Sequence, residues 1–280
     1  MKNDVRHALV VGCGYLGRRI AGELLRKGYH VTATTRSDER ISELRELGVD
    51  PIRLDLRDWN GGPTSGAYEV VIYCVSAGRQ GDGQLCYLEG PLKIVESLQT
   101  SPPEKFLYIS STGVYAQNDG TEVDEESLAL SQKGNHGWIL GGEKALLTSK
   151  GPPRATVIRL GGLYGPGRSP VEWLRQEEFR RRLTGSGVAF MNWIHVDDAA
   201  MAIVAAEGRG QPGEIYLVVD GHPVRRREFY EYAARLGNVE PPLLTDSDED
   251  LGKRCRNKKM IRQLGIALRY PDYRVGLVAC

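Results

Sequence analysis

Residues 12–17 read Gly-Cys-Gly-Tyr-Leu-Gly. They follow directly on the apolar run Ala8, Leu9, Val10 and Val11, and they open a segment with Leu16, Ile20 and Leu24 at helical spacing. No other feature constrains the chain as strongly. In a strand that turns into a helix through Gly-x-Gly-x-x-Gly, the first glycine makes the tight turn. The second lets the backbone approach a ligand, and the third lets helix and strand pack closely. The helix start then offers free N–H groups and the positive end of its dipole, which suits a phosphate. The motif predicts a βαβ unit holding the pyrophosphate of a dinucleotide, with Gly12, Cys13, Gly14, Tyr15, Leu16 and Gly17 as its cradle.

The rest of the chain agrees with such a unit. Short apolar runs at 31–35, 52–54, 70–75, 106–109 and 156–160 read as buried strands. Between them lie helical patterns marked by Ile41, Leu44 and Leu47 and at 85–98 and 138–147. Continuous apolar strands separated by helices mean a parallel sheet covered on both faces. Right-handed crossovers then give an α/β, doubly wound (Rossmann) fold. Residues 1–165 read as this dinucleotide-binding domain and 166–280 mainly as a smaller C-terminal substrate lobe. A strand and helix at about 188–220 are expected to return to the first domain. Within the lobe, 161–170 reads as a Gly/Pro loop and 171–183 as one helix. A strand ends near His195. Asp197 or Asp198 is placed to cap a small-residue helix at 199–206. A strand at 215–219, helices at 229–236 and 260–264 and an acidic connector at 240–252 complete the lobe.

Composition excludes several classes. The chain has 280 residues with 37 Lys+Arg against 36 Asp+Glu, a net charge of +1. Such a balance gives no reason to expect nucleic acid as a partner. No apolar run approaches the roughly 20 residues that span a bilayer, so no membrane is expected. The first residues carry no secretory apolar region. The five cysteines are odd in number and form no Cys-x-x-Cys pair, which reads as reduced, cytoplasmic thiols. The five histidines show no metal-ligand spacing, so no metal is expected. The 34 glycines are in excess, at about 12% against a typical ~7%. Many of them gather in the cradle, at 161–167 and at 137–142.

The strand at 31–35 sets the cofactor preference. An NAD site usually places an acid at its end for the ribose 2′-hydroxyl. This chain has Thr34, Thr35 and Arg36, and a guanidinium suits a 2′-phosphate. NADP(H) is therefore expected over NAD(H). Asp55 is placed to accept from the adenine amino group, with Leu56 against the ring. Val75, Ser76 and Ala77, after the fourth strand, are small enough to admit the cofactor ribose.

In order, these residues resemble the extended short-chain dehydrogenase/reductases, the NAD-dependent epimerase/dehydratase family. Five stretches carry the likeness: residues 12–17, 54–56, 108–115 (Tyr-Ile-Ser-Ser-Thr-Gly-Val-Tyr), 159–167 (Arg-Leu-Gly-Gly-Leu-Tyr-Gly-Pro-Gly) and 192–199 (Asn-Trp-Ile-His-Val-Asp-Asp-Ala). Together they cover about 7–270. The tail at 269–274 is similar to that of short, atypical members related to nucleoside-diphosphate-sugar epimerases. The resemblance implies that Ser111, with Thr112 beside it, holds a substrate oxygen. It also implies a Tyr-x-x-x-Lys pair four residues ahead of a Glu. Glu143 fits that Glu, yet Asn135 and Ile139 stand at the two catalytic places, and no Tyr-x-x-x-Lys occurs in the chain. His136, one residue from the vacated tyrosine, is a substitute acid/base. Tyr115 is a further catalytic candidate, and Tyr164 and Arg168 are candidate substrate contacts. The expected function is an NADP-binding oxidoreductase or epimerase-like protein acting on a sugar nucleotide or similar small hydroxy/keto compound. The alternative is a non-catalytic NADP(H)-binding redox sensor or regulatory module. A homodimer through the helices at 85–98 and 138–147 is a family-level expectation.

Overall fold

The structure, a computed structural model, describes residues 5–58, 67–78, 81–149, 151, 153–246 and 249–280, with only the backbone of Arg182. Its strands are β1 (His7–Val11), β2 (His30–Thr35), β3 (Asp50–Arg53), β4 (Val70–Tyr73), β5 (Lys105–Ser111), β6 (Asp119–Val123), β7 (Ala155–Leu160), β8 (Gly162–Tyr164), β9 (Phe190–Met191), β10 (Trp193–His195), β11 (Ile215–Val218), β12 (Val224–Arg225) and β13 (Gly252–Cys255). Its helices are α1 (Tyr15–Arg26), α2 (Asp38–Glu46), α3 (Gly90–Ser97), α4 (His136–Thr148), α5 (Pro170–Arg175), α6 (Glu177–Arg182), α7 (Val196–Arg209), α8 (Arg226–Gly237), α9 (Lys258–Leu264) and α10 (Tyr273–Val278). The chain forms two compact units. One comprises 1–114, 130–159 and 200–216, and the other 115–129, 160–199 and 217–280. The division is interleaved.

The first unit is built on a seven-stranded sheet in the order β11-β7-β5-β4-β1-β2-β3, of which β11 leaves the unit after Tyr216. The registers from β3 through β2, β1 and β4 to β5 are all parallel. Every residue of β4 and β7 is buried, as strands covered by helices on both faces require. α1 buries Leu16, Gly17, Ile20, Ala21 and Leu24, one stripe at 3.6-residue spacing. The chain runs outward in opposite directions from β1 and from β4. Doubly wound sheets bind ligands outside the carboxyl ends of the strands at that reversal.

The second unit holds a four-stranded sheet, β12-β9-β13-β6, and the pair β10-β8. Its core packs Tyr164, Trp193, Phe229, Tyr230, Tyr273 and Leu277 together with smaller apolar residues. Several sequence expectations are corrected here. The single helix expected at 171–183 is two helices, because Gln176 takes an extended ψ of 109° that no helix can carry. The expected loop at 161–170 contains β8. β6, β13 and α10 had no sequence signal, since β6 and β13 are short and polar and gain stability only by pairing within the sheet. Neither Asp197 nor Asp198 caps α7. The imidazole of His195 accepts from Asp197 N–H at 3.2 Å. The fully buried carboxylate of Asp198 accepts from the backbone N–H groups of Arg269 and Tyr270 at 2.9 and 2.8 Å. The irregular tail has no sheet partner for those N–H groups, and buried donors need acceptors.

Candidate functional site

At the carboxyl end of β1 the glycines separate by role. Gly12 has φ +90°, and a Cβ there would lie 2.9 Å from Val75. At Gly17 a Cβ would lie 2.7 Å from the Gly12 carbonyl oxygen and 3.2 Å from Cys74 Sγ. These two glycines are required by the fold itself. Around Gly14 a Cβ would meet nothing within 4 Å, so the protein leaves the space beside it open. The loop is pinned from β2, where Thr34 accepts from Gly12 N–H through Oγ1 at 2.9 Å and from Cys13 N–H through its carbonyl at 2.8 Å. α1 begins after Gly14 with no side-chain cap and no acid in its first turn. An uncapped helix start beside open space suits an anion, and the pyrophosphate of a dinucleotide fits it.

Beneath the loop, Cys13 and Cys74 are packing residues. Burial pushes the Cys13 thiol up to about 12, with Arg18 and Arg40 pulling the other way. Burial also raises the Cys74 thiol, which lies 3.2 Å from the Gly12 carbonyl oxygen. Neither has thiolate character. Tyr15 and Leu16 open α1; Leu16 is buried and Tyr15 lies under the Arg19 guanidinium at 4.4 Å.

Around the adenosine end, Arg36 is exposed just past β2, and it makes no ion pair or hydrogen bond with any described residue. Asp55 is engaged by its neighbour Arg57. Arg57 closes on it through Nε at 3.0 Å, Nη2 at 2.6 Å and its backbone N–H at 3.0 Å, holding the carboxyl down at about 2. Leu56 is buried in a short 3-10 turn. Val75, Ser76 and Ala77 line the exit from β4, the strand beside β1.

The segment expected to carry catalysis lies where β5 ends and α4 begins. Ser111 is half-buried, and its Oγ accepts from Gly113 N–H at 3.0 Å. Thr112 is buried in the following turn. The His136 ring presses on that turn so closely that a Cβ on Gly113 would lie 2.2 Å from Nε2. Its Nδ1 is 3.3 Å from Ser131 Oγ. Ser111, Thr112 and His136 are therefore brought together, and Ser131 joins them with no sequence signal of its own. Asn135 precedes α4, with Oδ1 against Gly83, and Ile139 is only 6% exposed, an apolar plug where a lysine would stand.

α4 is locked from below. Glu143, 1% exposed, pairs with Arg159 of β7 through Nε at 3.0 Å and Nη2 at 2.7 Å, and accepts from Ser110 Oγ.

Three candidates fall in the second unit, and two of them are corrected. Tyr115 is 2% exposed, and its hydroxyl donates to the Asp124 carbonyl at 2.6 Å, so the phenol ties a turn and is not a free acid. Tyr164 is fully buried, edge-on to Trp193 at 6.0 Å and to His195 at 5.4 Å, and burial raises its hydroxyl far above the ordinary range. It is a core residue. Arg168 is exposed, and its backbone closes a turn with Gly165. Among the described residues no group of three or more His, Cys, Asp or Glu could hold a metal ion, and no helix is long and apolar enough to cross a membrane.

Known proteins of similar sequence and fold match nearly the whole chain. Protein YeeZ of Escherichia coli (strain K12) is 27% identical over 275 residues, covering 96% of this chain and 97% of that protein. A conserved protein of unknown function from Silicibacter pomeroyi DSS has a solved structure that is 28% identical, with a TM-score of 0.82 and 98% of each chain covered. MoeE5, solved with UDP-glucose and NAD, is similar in fold at 20% identity, with a TM-score of 0.81 over 98% of this chain and 96% of that one. The family model described as "NAD dependent epimerase/dehydratase family" matches residues 8–218, well over half the length. With the cradle, the strand order and this match in agreement, the chain belongs to the NAD dependent epimerase/dehydratase family.

Proposed function

We propose that the protein is an NADP(H)-preferring oxidoreductase of this family, acting on a sugar nucleotide or a similar small hydroxy/keto compound. The observation that carries the reading is the uncapped start of α1 beside the open side of Gly14, with the exposed Arg36 guanidinium past β2 making no ion pair or hydrogen bond among the described residues. The substrate class is supported by the UDP-glucose complex of a protein with the same fold. A bound nicotinamide supplies the hydride chemistry. The chain's own part is to hold and move a proton. Ser111 Oγ is placed to donate to a substrate oxygen, and His136, oriented through Nδ1 by Ser131, is the acid/base in place of the absent tyrosine. Val75, Ser76 and Ala77 face the cofactor ribose, and Arg168 remains the substrate-side cation.

Titration with NADPH and NADH tests the cofactor assignment. Wild type is expected to favour NADPH, and Arg36→Ser to remove roughly tenfold to a hundredfold of that preference, the worth of a charged hydrogen bond. Equal affinities in the wild type would refute it. Turnover of NADPH with a panel of keto-sugar nucleotides tests the chemistry, and His136→Gln is expected to lower it by about 10²–10⁴.

The buried Ile139 favours a second reading, a non-catalytic NADP(H) sensor. Its signature is tight binding that distinguishes NADPH from NADP+ without turnover. Leu92 and Trp138 are exposed on α3 and α4, which supports a homodimer through those helices, and a monomer in sedimentation would discard it. All five thiols are free, which supports a reducing, cytoplasmic setting.

A further inference from the structure

One helical segment of the first unit breaks its own regularity. Leu85–Glu89 forms a π turn that runs into α3. A π turn replaces i→i+4 bonding with i→i+5, and such turns concentrate at functional sites. Two of its carbonyls are taken by tyrosines from the sheet. Tyr73 Oη donates to the Cys86 carbonyl and Tyr108 Oη to the Tyr87 carbonyl, each at 2.7 Å. Both tyrosines are fully buried, and their rings stack at 6.0 Å. α4 braces the same turn from its other side, where a Cβ on Gly142 would lie 2.1 Å from the Tyr87 carbonyl oxygen. β5 and α4 thus meet at Tyr87 itself, and β4 at Cys86 beside it.

The Tyr87 phenol is what this bracing fixes in space. Its Oη accepts from Ala77 N–H at 3.2 Å and lies 3.4 Å from Ser76 Oγ. Those two residues leave β4 beside the cradle, at the sheet reversal where the ligand crevice forms. Tyr87 is half-buried, so it faces neither bulk water nor closed core. Its hydroxyl keeps donor capacity after accepting from Ala77. α4 offers nothing equivalent, since Ile139 is apolar and buried.

We propose that Tyr87 is a ligand of the bound dinucleotide, donating its phenolic O–H to the sugar hydroxyls of the nicotinamide half from the exit of β4. The proposal rests on the reading that this chain binds a nicotinamide dinucleotide. The π turn gives the phenol its position, and the two buried tyrosines and Gly142 hold that position before any ligand arrives. Preorganisation of this kind lowers the ordering cost of binding.

Tyr87→Phe keeps the ring and deletes the hydroxyl. Wild type and variant are titrated by calorimetry with two ligand pairs. NADPH is set against 2′-phospho-ADP, and NADH against ADP, so that each dinucleotide is compared with a fragment lacking the nicotinamide riboside. The expected result is a roughly fivefold to tenfold weaker dinucleotide, the loss of one hydrogen bond, with the matching fragment unchanged. Unchanged dinucleotide affinity would overturn the proposal. A parallel loss for dinucleotide and fragment would also overturn it, because the phenol would then serve only the shape of the cradle. Failure of the underlying reading shows separately, as a wild type that binds neither dinucleotide; that result overturns both.

Discussion

Gly12 and Gly14 stand two residues apart and answer to different demands. Gly12 answers to the fold, because its φ of +90° and its contact with Val75 exclude a side chain whether or not a ligand is present. Gly14 meets no such demand from the protein, since a Cβ there would find open space. Gly12→Ala is therefore expected to destabilise the protein by about 2–4 kcal/mol, through left-handed backbone strain plus overpacking. Gly14→Ala is expected to cost less than about 1 kcal/mol, a helix-start effect, while dinucleotide binding falls sharply. Urea midpoints and an NADPH titration on the two variants check both halves, and equal stability losses would refute the distinction. The spacing of these glycines was legible in the sequence because turn, approach and packing each forbid a Cβ. Tyr87 and Ser131 were not legible. No local pattern marks a tyrosine whose place depends on a π turn, or a serine that meets a histidine five residues on across an irregular segment.

α4 shows how an element can be readable in extent and unreadable in attachment. Apolar spacing at 138–147 places it within a few residues of His136–Thr148. What pins it is the buried Glu143–Arg159 pair with Ser110, which joins it to β7 and β5. Removing one partner of a buried pair leaves a charge without compensation. Glu143→Ala is expected to cost about 3–5 kcal/mol, read as a lower urea midpoint. Replacing both partners with methionine is expected to recover most of that loss, and a double variant as unstable as the single one would count against the explanation. The break between α5 and α6 and the His195 cap of α7 were hidden for a related reason. Propensity sees a run of helix formers in the first and two aspartates in the second. It does not see that Asp198 is already committed to the tail.

At the scale of the whole molecule, stability should depend on pH through Asp220. It is 6% exposed, with Oδ1 accepting from His222 N–H at 2.8 Å and Oδ2 unpartnered among the described residues. Burial first, and then the nearby Asp272 and Asp198 carboxylates, raise its carboxyl well above the usual range. The folded chain keeps a proton that the unfolded chain releases above about pH 4. That contribution is full below pH 4 and is lost as pH rises toward the folded value. Asp220→Asn should match the wild type near pH 4 and exceed it near pH 7, by on the order of 1 kcal/mol. Denaturation across that range measures it, and a gap independent of pH would refute it.

The sequence by itself determined the parallel sheet, the strand–turn–helix cradle and the absence of the Tyr-x-x-x-Lys pair. Each is written in local spacing, where periodicity and the lack of a Cβ act over a few residues. Only the tertiary structure decided the interleaving of the two units, with 115–129 assigned to one and 200–216 to the other. It also decided that Tyr115 and Tyr164 serve packing, that His136 reaches Gly113, and that Tyr87 reaches Ala77. Those outcomes depend on pairings across long stretches of chain, such as β6 with β13, whose short polar strands carry no stable pattern until they meet.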